Sequence, residues 1–599
     1  MGGETGANGR VAEWLKQFGA ALEHGDIAAA TALFAPECYW RDLVAFSWNL
    51  MTAEGRPAVA ALLDATLART APSDIRPEGE ATEQDGVTES FFTFETAASR
   101  GRGYLRLRGD LCWTLLTSME ELKGFEERKG RRRVFGAEHG IHRDRKSWSE
   151  RRGEDERTLG TERQPYVVVI GAGQGGLALG ARLKRLDVPT IILEANARVG
   201  DSWRKRYKSL CLHDPVWYDH MPYLPFPDDW PVYSPKDKLA DWLEMYAKVM
   251  ELNVWTGTTC RKASYDEAGG EWTVEVMRNG EPVTLHPKHL VFATGMSGLP
   301  NLPEIPGMDR FRGAQHHSSR HGSSEAFRGK RAVVIGSNNS AHDIAADLWE
   351  NGADVTMVQR TSTHISTSDS LFRFGTSRLY SEDALVRGIT TDRADLINAA
   401  IPYGIMHDFH APTVAAIREK DADLYRRLED VGFLLDFGDD GSGLHMKYMR
   451  RGSGYYIDVG ASELIANRDI KLRSGVDVRE ITETGVVLSD GTELPADLIV
   501  HATGYGPMNG WVAELASPAM ADKVGKVWGL GSNTTKDPGP WEGEPRNMWK
   551  PTQQDGLWFH GGNLHQSRHY SQYLALQLKA RLENIPTPVY AKAPVHHLR

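Results

Sequence analysis

The chain has 599 residues, 41% hydrophobic and 25% charged, with a formal net charge of −10. That length calls for several packed units, and the acidic balance argues against a general nucleic-acid binder, which needs a basic surface. Four cysteines, Cys38, Cys112, Cys211 and Cys260, stand far apart with no CxxC pair, which argues against a disulfide scaffold, a redox dithiol or a cysteine-only zinc site.

No apolar run reaches the length of a membrane helix. The opening residues lack a signal-peptide core, and Gly6 stands where a myristoylation signal needs Ser or Thr, so a cytoplasmic protein without membrane contact is expected. Residues 10–125 begin with an amphipathic helix, with Val11, Trp14, Leu15, Phe18, Ala21 and Leu22 at helical spacing. A short second helix and the strand-like runs VTESFFTFE and YLRLRGDLCWTLLTSME follow, predicting a small α+β unit with a curved sheet over 1–135. Residues 136–163 are dense in charge and poor in apolar side chains. They read as a linker, with a basic docking patch as the alternative.

The chain then changes character. YVVVI (166–170) runs into GAGQGG (171–176), a helical stretch with Leu179, Leu183 and Leu186 on one face, and the apolar run VPTIILE ending in Glu194. This is a strand–glycine turn–helix–strand unit, and it recurs over 331–360. Each copy leads to a β-meander, marked by Asn279-Gly280 or Asp490-Gly491, and then to an ATG tripeptide at 293–295 or 502–504. The second copy is longer by about 44 residues, placed in a helix-rich insertion at about 366–455. The predicted fold is α/β, with two Rossmann-like dinucleotide-binding domains behind a small α+β cone-like domain. The first occupies 164–305, the second 306–456, and 457–599 supplies return strands and completes the first.

In the first turn Gly171 permits the tight bend, Gly173 lets backbone approach a pyrophosphate, and Gly176 allows close helix–strand packing. The helix starting at Gln174 offers free N–H groups to phosphates, and Glu194 is placed to accept ribose hydroxyls. The second turn, GSNNSA, keeps Gly336 but substitutes Asn338 and Ala341, with Asn339 and Ser340 opening its helix. Its second strand ends in Arg360 rather than an acid, which suits a 2′-phosphate; a plain surface Arg is the alternative. An acid-ended and an Arg-ended unit fit FAD and NADPH. Without a cysteine pair beside the flavin, dioxygen is the expected electron acceptor.

From about 164 to 585 the chain resembles the flavin-containing monooxygenases. FRGAQHHSSRH (311–321) is similar to a family signature through Phe311, Gly313 and His317, although His321 stands where an aromatic is usual. RVGDSWRKRY (198–207), with Gly200 and Trp203, resembles a flavin-contacting segment. ATGY (502–505), with Thr503 and Gly504, resembles the family's interdomain linker. His213-Asp214-Pro215 is similar to the auxin-forming indole-3-pyruvate monooxygenase branch, making His213 the expected catalytic group, as a neutral imidazole donor or as a packing residue. The resemblance implies that NADPH reduces FAD and that dioxygen is captured as a C(4a)-hydroperoxyflavin which oxygenates a small molecule. The 2-oxo acid indole-3-pyruvate, amines, sulfides and ketones all stay open as substrates. Trp217, Tyr218, Tyr223, Phe226 and Trp230 are expected either to wall that site or to form core between domains. An NADPH oxidase releasing hydrogen peroxide and a non-catalytic ligand-binding flavoprotein are the rival readings.

Near the C-terminus a strand, the turn Gly561-Gly562-Asn563 and a helix are expected, the helix N-terminus facing the flavin through Gly562 and Asn563. His560, His565 and His569 lack the partners of a metal site, and no metal is expected. The first 125 residues resemble the nuclear transport factor two and SnoaL-type cone fold. Tyr39, Trp40, Asp42 and Trp113 are candidates to line a pocket in it, and the unit is expected to dimerise the chain or act as a lid.

Overall fold

The computed structural model describes residues 6–136, 139–141, 143–296, 298–438 and 440–596. The N-terminal part is a six-stranded sheet in the order Leu50–Glu54, Phe34–Leu43, Leu111–Leu122, Ser99–Arg108, Val87–Glu95, Ser73–Gln84. Val87–Glu95 alternates buried and half-buried residues along its whole length, the period of a strand with one covered face. The helix Ala7–Glu23 turns Val11, Trp14, Leu15, Phe18, Ala21 and Leu22 inward, the stripe read from its spacing.

The two nucleotide units are built alike. In the first, five parallel strands stand in the order Leu557–Phe559, His289–Phe292, Val167–Ile170, Thr190–Leu193, Val254–Trp255. In the second the order is Ala314–His317, Leu498–His501, Arg331–Ile335, Asp354–Gln359, Lys471–Ser474. Each pairs the strand entering the glycine turn with the strand leading to ATG. Val167–Ile170, buried at every residue, is a centre strand covered on both faces. Each unit also carries a three-stranded antiparallel meander. The enlargement of the second unit contains six α-helical pieces between Ser368 and Arg451. Among the described residues, no helix is long and apolar enough to cross a membrane.

The charged stretch departs from its expectation as bare linker. It contains the helix Trp148–Thr158, which buries no residue. A reciprocal capping box between Ser147 and Glu150 and an Arg152–Glu156 pair one turn apart supply local stabilisation that composition alone does not reveal.

The N-terminal sheet packs against its own chain. Arg41 on Phe34–Leu43 pairs with Glu544 at 2.6 Å, both side chains 1% exposed. It also donates to the Ala399 carbonyl and the Tyr570 hydroxyl, joining sheet, insertion and C-terminal helix. Trp113 stacks on Phe409, and Ser118 bonds Tyr573. Trp113 is thus covered by the insertion and Ser118 by the C-terminal helix. Asp42 is fully buried, accepting from Ser47 and Thr117, and the Trp40 indole donates to Thr117. The Tyr39 hydroxyl donates to Glu37.

Removing one partner of an enclosed ion pair leaves the other charge uncompensated. Glu544→Gln should therefore cost roughly 3–5 kcal/mol. It should lower the thermal midpoint of the whole chain, whereas Arg76→Gln, whose partner Asp74 is exposed, should leave it unchanged.

Candidate functional site

A cleft of about 830 Å³ lies where the two nucleotide units meet. Gly171, at φ +107°, brings its turn so close to the strand before ATG that a Cβ would sit 2.5 Å from the Ala293 carbonyl oxygen. Gly336, at φ +127°, repeats this against Ala502 at 2.3 Å. A side chain at either position would push turn and strand apart, so the same glycine constraint operates twice. Gly176 packs as its spacing predicts, its Cβ position falling 1.9 Å from the Gly171 oxygen.

These turns aim two helix N-termini at one space. Gly173 and Gln174, opening Gln174–Arg185, line the cleft, and so do Asn339 and Ser340, opening Asn339–Glu350. Glu194 lines it with its carboxylate fixed by the N–H groups of Ala172 (3.1 Å) and Asn196 (2.8 Å). Trp203, His213 and Gly562 complete the predicted residues gathered there.

The other predicted residues lie outside the lining. Gly200 is a packing position, where a Cβ would meet the Ala240 oxygen at 2.4 Å. Asn338 is the cap residue of its helix, while Asn563 caps Leu564–Leu582 and donates to the Tyr218 hydroxyl. Thr503 donates to the Asn301 carbonyl, and the Gly504 carbonyl bonds His317. Arg360 is exposed and pairs with Asp477 at 3.4 Å.

His213 differs from its expected neutral state. Burial opposes its charge, but Asp343, 3.3 Å from Nε2, more than offsets burial and raises the imidazole above its usual 6.5. The same Asp343 oxygen accepts from the Tyr207 hydroxyl at 2.7 Å. Asp214 beside it is pushed up to about 6 by burial, while His213 pulls it the other way. The group facing the cleft is thus an imidazole held by a carboxylate that favours its protonated form, a donor suited to an anionic or carbonyl oxygen. Asp343 went unforeseen because it sits 130 residues from His213 in sequence, on the other unit.

Three buried polar atoms on residues that line or adjoin the cleft, Thr294 Oγ1, Asp343 Oδ1 and Trp511 Nε1, have no partner within the protein. Together with the free helix N-termini and fixed carboxylate, they fit a dinucleotide's hydroxyls, amides and phosphates. Cys211 and Cys260 also line the cleft, and both are free. Burial raises both thiols, Cys260 to about 12, so neither is poised as a thiolate. The aromatic wall expected here lies elsewhere: Trp217, Tyr223, Phe226 and Trp230 border a second cavity. Tyr218 stands between, stacked on His565.

A family model described as pyridine nucleotide-disulphide oxidoreductase matches residues 168–374. Indole-3-pyruvate monooxygenase YUCCA1 of Oryza sativa subsp. japonica is 31% identical over 370 residues, 61% of this chain and 82% of the relative. Probable indole-3-pyruvate monooxygenase YUCCA1 of Arabidopsis thaliana is 31% identical over 56% of this chain and 75% of its own length. A flavin-containing monooxygenase structure from Stenotrophomonas maltophilia aligns with a TM-score of 0.44 and 20% identity, covering 70% of this chain and 99% of that one.

Because the folded pKa of His213 is raised, its pair with Asp343 contributes fully below 6.5 and is lost as pH climbs through the folded value. His213→Gln should therefore be destabilised relative to the parent at about pH 6 and nearly level with it at about pH 9, as read from urea midpoints.

Proposed function

The chain belongs to the flavin-dependent monooxygenase family, which uses FAD and NADPH, and we propose that it oxygenates a small organic molecule, a 2-oxo acid of the indole-3-pyruvate type, at the cleft between its nucleotide units. The observation that carries this reading is the convergence of two helix N-termini from two matched units on one cleft that also holds the His213–Asp343 pair.

When bound, the coenzymes supply hydride transfer and the activation of dioxygen. FAD is assigned to the acid-ended unit. Backbone N–H groups at Gly173 and Gln174 would hold its pyrophosphate, and Glu194 would accept from its ribose. NADPH is assigned to the second unit, with Ser340 at the phosphates and Arg360 at the 2′-phosphate. Arg360 is available for this because an exposed pair such as that with Asp477 contributes little and is readily exchanged.

His213 is assigned to orient the substrate. Its imidazolium, fixed by Asp343, donates to the carboxylate or keto oxygen of a 2-oxo acid and holds a proton ready for an oxygen that gains charge. Tyr207 locks Asp343 in turn. Closing the cleft to water falls to the apolar residues around it, chiefly Trp203, Leu212 and Leu515.

Purified protein should be yellow and consume dioxygen with NADPH and an aromatic 2-oxo acid, giving a product that carries one atom from labelled dioxygen. Stoichiometric hydrogen peroxide with every substrate tried would favour the oxidase reading instead. Arg360→Ala should raise KM for NADPH about tenfold or more, the loss of a charge-assisted phosphate contact, and leave NADH nearly unaffected. Equal losses for both coenzymes would remove Arg360 from the assignment.

A further inference from the structure

The second cavity, about 840 Å³, is lined by widely separated parts of the chain, Glu127, Lys129 and Arg182 among them. Arg102 and Glu120 come from the N-terminal sheet, the 216–232 loop forms one side, the insertion contributes Leu385 and Asp395, and the C-terminal helix contributes Arg568 and Tyr573. The partition from the flavin cleft is thin: Asp214 and Gly562 line the cleft, while Val216 and His569 line this cavity. Between them the Tyr218 ring stacks on His565 at 4.5 Å, and its hydroxyl accepts from Asn563.

The charges around the cavity are largely committed to one another. Arg568 grips Asp395 with two bonds of 2.8 Å and spends its remaining nitrogen on the Tyr218 and His220 carbonyls. Arg102 donates to Glu78, the Trp217 indole to Glu382, and the Tyr223 hydroxyl to Glu127. Arg182 lies over the Tyr223 ring at 4.7 Å. Glu120 accepts from Ser118, and burial raises its carboxyl towards the neutral form. The charges that stay open, Asp228, Asp392 and Lys129, are exposed at the rim, Lys129 standing 3.7 Å from Glu127.

What remains for an occupant is apolar surface with neutral polar groups. Trp217, Phe226, Trp230, Met221, Pro222 and Pro225 provide the former. His220 and His569 provide the latter, burial holding them down at about 4 and about 3 and hence uncharged at neutral pH. A charged molecule seated among these rings would lose hydration while the open charges stay at the solvated rim, whereas a flat uncharged one loses little.

We propose that this cavity is a second ligand site, completed by the N-terminal unit, for an uncharged aromatic or heteroaromatic molecule. It stands apart from the cleft assigned to the anionic 2-oxo acid, and its test needs no turnover.

The test is calorimetric titration of the oxidised holoenzyme, without NADPH, with indole, indole-3-acetate and tryptamine, three ligands sharing one ring and differing in charge. Indole is expected to bind at least tenfold more tightly than either charged analogue. Leu385→Trp and, separately, Val232→Trp should abolish that binding while the flavin spectrum stays unchanged, because both residues are partly exposed on the cavity wall. No heat with indole, equal binding of all three ligands, or indole binding that survives both substitutions would overturn the proposal. The last outcome would place indole in the flavin cleft.

Discussion

The architecture depends on one close approach made twice: a glycine in left-handed backbone lying against the carbonyl of the alanine that opens an ATG tripeptide. At Gly171 and Gly336 this contact leaves no room for a side chain. It sets the height at which each following helix begins, and so sets where its unpaired N–H groups point. Because both units obey the same constraint, the beginnings of their helices fall on opposite sides of one cleft. The second strand of the first unit adds a fixed carboxylate to that cleft at Glu194, whereas that of the second ends in Arg360, outside the lining and paired with Asp477.

Within that frame the link between units carries as much meaning as either unit. His213 comes from a loop of the first and Asp343 from the opening helix of the second. The charge on the imidazole thus depends on the two halves staying in register. A rearrangement that parted the two units would remove the carboxylate that favours the protonated form of His213.

The parts legible in the sequence were those fixed by local backbone rules. The glycine turns, the apolar runs beside them, the meander turns and the opening helix stripe each act within a few residues, and the strands and helices stand where the patterns put them. Ser147 and Glu150 were equally readable as a capping box, but the charge density around them pointed to a bare linker. What sequence did not disclose depends on partners brought together by folding. Asp343 gives no signal that it will face His213. Nothing in the spacing of Trp217, Phe226 and Trp230 tells which of two neighbouring hollows they border. Trp40 and Asp42 looked like pocket residues because they are aromatic and acidic, yet Asp42 is consumed by hydroxyls and amides inside the sheet.

The Arg41–Glu544 pair joins residues 503 positions apart. During synthesis at about 5–20 residues per second, the arginine leaves the ribosome on the order of a minute before its partner exists. Through that interval the N-terminal sheet has its strands but not the surface that will shield this charge, and Trp113 and Ser118 likewise wait for Phe409 and Tyr573. The earliest-made segment is therefore the last to be sealed, and the nascent chain passes through its longest vulnerable period with an apolar flank and one unpaired arginine exposed to whatever else the cell is making.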